Sequence, residues 1–183
     1  MKILNILLIS LLSVSSLFAN QITINGNKFV LQNTAQVDEG SIEEYTIEGE
    51  SLDNWTHLFA IRKFHNIEST KSYIMNMGLI YKESFPHMQF AYGQAGDSDE
   101  WWIDYITYKK KKMFMKKKEK FTEWDFFTAR NNPKGGIIVY QYARREFHKK
   151  SPSESLAALD IPNLRTKMLT ILIGNSFKTG KSQ

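Results

Sequence analysis

Two successive runs of turn-forming residues, each set between aromatic and β-branched segments, constrain this chain more than any other feature. Met88 to Gln94 and Glu100 to Tyr108 flank Gln94-Ala95-Gly96-Asp97-Ser98. Phe121 to Arg130 and Gly136 to Phe147 flank Asn131-Asn132-Pro133-Lys134-Gly135. Trp101, Ile103 and Tyr105 alternate with Trp102, Asp104 and Ile106, the period of two that puts successive side chains on opposite faces of a strand. Four antiparallel strands in sequence are therefore expected, joined by turns that Gly, Asn, Asp and Pro favour.

The N-terminal half adds more extended segments. Gln21 to Gln32 alternates about Asn25-Gly26-Asn27, a hairpin pattern, and Tyr45 to Ile47 and Leu58 to Phe64 read as further strands. Ser51 is expected to cap a short helix carrying Leu52 and Trp55. A longer helix is expected from Ser69, with Tyr73, Ile74 and Met77 on one face and Pro86 closing it. Ser151-Pro152-Ser153-Glu154 has the form of a capping box, and Asp160 is expected to cap a second C-terminal helix carrying Leu164, Met168 and Leu172, ended by Gly174. This order predicts an α+β fold: a single domain over 20–174, mainly antiparallel sheet with packed helices including a C-terminal helix pair, then a loose basic tail over 175–183.

Met1 to Ala19 has the layout of a cleaved secretory signal: Lys2, then the apolar run Ile3 to Leu12, then small residues ending at Ala19. The run is too short and polar-spotted for a membrane span, and the expected destination is the periplasm or the exterior. With no cysteine in the chain, lipid attachment, disulfides, thiol chemistry and cysteine-bound metal are excluded. Stability must then come from the core, which a mature chain of about 160 residues is long enough to build.

The segment Glu48-Gly49-Glu50-Ser51-Leu52-Asp53-Asn54-Trp55-Thr56 resembles one found in small exported bacterial proteins of unassigned function. The element order also resembles the PsbP-like α/β/α sandwich. These resemblances imply an exported protein with an antiparallel sheet between helices, and they transfer no functional residue.

The sequence holds no nucleophile elbow, no H-E-x-x-H helix and no phosphate-binding glycine loop. His57, His65, His87 and His148 lack metal-site spacing, and no catalytic residue, metal or cofactor is expected. Asp97-Ser98-Asp99-Glu100 lacks the glycine and distal glutamate of a calcium loop and reads as a hairpin tip. Glu123 and Asp125 share a strand face without a motif around them.

Charge is distributed unevenly. Thr34 to Ile61 carries seven acidic residues and no lysine, whereas Lys109 to Lys120 carries eight lysines and one glutamate. There Lys109, Lys110, Lys111 and Lys112 and the block Lys116, Lys117 and Lys118 bracket Met113-Phe114-Met115. The lysines suit anionic headgroups while Met113 and Phe114 suit a membrane interface. Alternatively the lysines only protect an exposed sheet edge. Trp102, Tyr108, Trp124 and Phe126 are a second candidate contact surface if no helix covers their face. The expected function is a non-enzymatic exported binding protein. Its partner would be anionic lipid, lipopolysaccharide or an acidic protein, and export argues against nucleic acid. The alternative is an extracytoplasmic hydrolase with a site assembled from distant residues such as His57, His65, His87, Glu123 and Asp125.

Overall fold

A computed structural model describes residues 21–85, 88–111, 119–147, 152–173 and 178–179. Two four-stranded meanders follow one another. The first is β1 (Gln21–Ile24), β2 (Asn27–Val37), β3 (Gly40–Ile47) and β4 (His57–Phe64). Helix α1 (Thr70–Ser84) then leads to β5 (Gln89–Gln94), β6 (Trp101–Lys111), β7 (Glu119–Asn131) and β8 (Ile137–Phe147). The meanders join where β4 pairs antiparallel with β8, Phe59 opposite Tyr142. With the two-residue β9 (Lys178–Thr179) beside β1, the sheet order is β5-β6-β7-β8-β4-β3-β2-β1-β9.

The alternation read in the sequence sorts residues onto two faces. On one, Phe29, Tyr45, Phe59, Trp124, Phe126, Tyr140 and Tyr142 pack under α2 (Pro152–Leu159), α3 (Ile161–Met168) and a π-helical turn (Leu169–Ile173). Leu159, Leu164, Met168 and Leu172 supply the helical side of that core. On the other face Ile103, Tyr105, Phe127, Ala129, Ile137 and Val139 meet Ile74 of α1. At Gly78 the helix comes so near the sheet that a Cβ would stand 3.0 Å from Ile103 Cδ1. Trp55, Leu58, Ala60 and Ala143 form a third, small cluster on this second face.

The predicted hairpins are present. Asn25 and Gly26 both take positive φ, 51° and 80°, as the tight turn between β1 and β2 requires. Ser69 caps α1 by accepting from the Ser72 N–H at 3.1 Å.

Four expectations need correction. The α+β class gives way to a mostly β protein, because strands occupy segments read as loop or tail: β2 runs on to Val37, β3 begins at Gly40, and Lys178–Thr179 pairs with β1. Ser51 starts no helix. It bridges to Asn54, and the Glu50 carboxylate organises the loop by accepting from the Thr56 N–H at 2.9 Å and the Thr56 hydroxyl at 2.5 Å. Asp160 precedes α3 but caps no backbone N–H. Pro162 removes one target, and the carboxylate accepts from Asn163 Nδ2 at 2.6 Å instead. Finally, the tail is not wholly loose, since it provides β9. The export signal, Pro86, Ser151 and Gly174 lie outside the described residues.

Candidate functional site

Each face of the sheet holds buried charge, treated differently. Under α3, Arg165 donates to both carboxylate oxygens of Asp104, at 2.6 and 3.1 Å, and Trp124 Nε1 donates to the same carboxylate at 3.0 Å. Asp104 is almost wholly buried and this network binds helix to sheet. A bidentate guanidinium with a third donor is the arrangement that makes a buried carboxylate tolerable. Glu100, also buried on this side, is pushed above the usual carboxylate range chiefly by burial, with Thr128 and Arg130 opposing the shift.

The opposite face is polar along its middle. Arg145 donates to Glu123 at 2.5 Å and lies 3.4 Å over the Trp55 ring. Gln141 Nε2 donates to Asp125 at 2.8 Å. The Tyr105 hydroxyl, buried between Asp125 and Tyr81, has its pKa raised far above normal, mainly by burial. Because α1 lies over β6 and β7, it leaves an open cleft of about 790 Å³ along its flank. Arg62, Gln141 and Phe127 form the floor; Tyr73, Met77 and Ile80 of α1 form a wall. Arg62 Nη1 and Gln141 Oε1 are both shut off from solvent without a hydrogen-bond partner. Burial raises the pKa of Tyr73, which the Arg62 charge counteracts.

Of the hydrolase candidates, His57, His65, Glu123 and Asp125 do not line this cleft, and His87 lies outside the described residues. His57 Nδ1 sits 2.9 Å from the Thr56 hydroxyl, His65 is exposed, and Glu123 is engaged by Arg145. His57 is held below its ordinary pKa of 6.5, first by burial and then by Arg144, against the pull of Glu50 and Glu146. Asp97 to Glu100 is a hairpin tip closed by Ser98, whose hydroxyl donates to the Ala95 carbonyl at 2.6 Å. Among the described residues no acidic or histidine cluster suits a metal ion.

The lysine segment divides. Lys109, Lys110 and Lys111 end β6, paired in register with Phe121, Lys120 and Glu119, whereas Lys112, Met113, Phe114, Lys116, Lys117 and Lys118 lie outside the described residues. β5 pairs with β6 only as far as Ile106, so no described strand borders Thr107 to Lys111 on that side. The outward-facing aromatic surface does not form: Trp124 and Phe126 are wholly buried under the C-terminal helices, and Trp102 is half-buried, stacked 5.9 Å from Phe126. Tyr108 alone of that set is exposed, at 47%.

Sequence reasoning missed two things. β8 ends at Phe147, opposite Phe121, so the chain enters His148-Lys149-Lys150 from the same sheet end as the lysine run. The cleft was also invisible, since Arg62 and Gln141 are 79 positions apart and meet only through the β4–β8 pairing.

Fold and site together define a mostly β protein with one helix-sealed face and one face that carries an open polar cleft. A family model matches residues 18–175, and the chain belongs to that uncharacterised family. No curated protein and no solved structure gives a match.

Proposed function

We propose that the protein is an exported, non-enzymatic binding protein that contacts an anionic lipid surface through the end of the β6–β7 hairpin. The register of that hairpin carries the reading: Lys110 stands directly opposite Lys120. Like charges at opposed ladder positions destabilise an antiparallel pair. A hairpin end that concentrates cations in this way gains from an anionic surface what it loses to self-repulsion, each lysine contributing about 1 kcal/mol near such a surface. Exposed Tyr108 and Phe147 lie at the same end and suit the interfacial zone, as do the sequence neighbours Met113 and Phe114. No helix among the described residues is long and apolar enough to cross a membrane, so a surface contact suits the helices seen.

Co-sedimentation with phosphatidylglycerol-containing vesicles tests the proposal. The mature protein binds at low salt, releases as salt rises, and ignores purely zwitterionic vesicles. The quadruple change K109Q/K110Q/K111Q/K112Q weakens binding. Salt-insensitive binding, or equal binding by the quadruple variant, contradicts the proposal. Capture by lipopolysaccharide or an acidic protein without vesicle binding would reassign the partner. Export is checked by N-terminal sequencing of protein recovered outside the cytoplasm, which should begin near Asn20.

A further inference from the structure

The cleft beside α1 is separate from the lysine hairpin and has a chemistry of its own. Arg62 lies on its floor with Nη1 buried and unpartnered, and among the described residues no carboxylate pairs with it. A guanidinium nitrogen removed from water without an acceptor is costly, and an anion in the cleft removes that cost. On the neighbouring strand, Gln141 spends its amide N–H on Asp125, which fixes its Oε1 as a buried acceptor without a donor. The cleft therefore wants an acceptor at one point and a donor at another. Phe127 of β7, opposite Gln141, and Met77 and Ile80 of α1 present apolar surface. A volume of about 790 Å³ is within the range of small-molecule sites.

We infer that this cleft binds a small carboxylic acid that carries a hydroxyl or amino donor near its carboxylate and an apolar body. One guanidinium favours a carboxylate over a phosphate dianion, which usually recruits further cations or a nest of backbone N–H groups. Glu68, exposed at the rim, screens against more highly charged anions. The half-buried Arg62 and Gln141 side chains turn toward the cleft to meet the carboxylate and the donor, and the apolar body lies along α1 over Met77 and Ile80.

Isothermal titration of the full mature chain with β-hydroxydecanoate, decanoate and decanol, each below its aggregation limit, tests this. β-Hydroxydecanoate binds saturably at one site. Decanoate binds about fivefold more weakly for want of the donor to Gln141. Decanol, which lacks the anion, binds at least about tenfold more weakly. R62M lowers affinity for the acid by at least about tenfold while the circular dichroism spectrum is unchanged. N76W, at an exposed α1 position lining the cleft, blocks binding without touching the core. The quadruple lysine variant binds the acid as the parent does, which separates this site from the hairpin. The inference is overturned if neither acid gives saturable binding, if decanol matches the acids, or if R62M or N76W binds as tightly as the parent.

Discussion

Arginines cross to the sheet on both of its faces, and their surroundings differ. Arg165 reaches from α3 to a carboxylate that also accepts from Trp124, so the charge is satisfied within the fold. Arg62 rises from β4 beneath α1 and keeps a buried nitrogen without a partner. The helix pair seals an aromatic core; the single helix covers β6 and β7, the Trp55 loop covers part of β4 and β8, and a cleft stays open along the helix flank. The first face thus satisfies its buried charge within the fold, whereas the second keeps an unpartnered buried nitrogen beside an open cleft.

The largest break in that comparison comes from the sealed face. Trp124→Ala removes a wholly buried indole and a donor to Asp104, and unfolding in urea should show a loss of about 3–5 kcal/mol. A loss below about 1 kcal/mol would mean that this core is not the main support of the fold. On the open face Arg145→Lys keeps the charge opposite Glu123 but gives up the planar stacking on Trp55. A cost of about 1–2 kcal/mol is expected in the same assay.

The smallest effect concerns His57, whose ring lies 6.1 Å from that of Tyr142. Its folded pKa lies below 6.5, so the folded state takes up its proton less readily than the unfolded chain. Its contribution is present above pH 6.5 and is lost as pH falls toward and through the folded value. His57→Gln should flatten the decline in melting temperature on the acid side of neutrality and leave the alkaline side unchanged. An unchanged acid slope would assign the decline to other groups.

What could be read beforehand was local. Period-two alternation and turn residues identified β5 to β8 and the first hairpin, because those signals reside in adjacent residues. The Ser51 helix failed because Glu50 and Thr56, six positions apart, hold the segment in a turn and Trp55 is stacked by Arg145 from β8. Alternation puts Trp124 on one face of its strand but does not say that α2 and α3 cover that face. The lysine run was legible as charge, though its opposed register and the neighbouring sheet edge depend on strand lengths the pattern did not fix. The cleft was not legible at all. It exists because β4 and β8 join two meanders and α1 crosses over only part of the result.

The two arginines allow the most direct test of the division between faces. Urea unfolding of Arg165→Met and Arg62→Met should be measured side by side in the mature protein. Arg165→Met strands the buried Asp104 carboxylate and should cost about 3–5 kcal/mol, whereas Arg62→Met removes a half-buried guanidinium with one unpartnered nitrogen and should leave stability unchanged or raised. Equal losses in the two variants would contradict the account, since Arg62 would then be as much a part of the folded framework as Arg165.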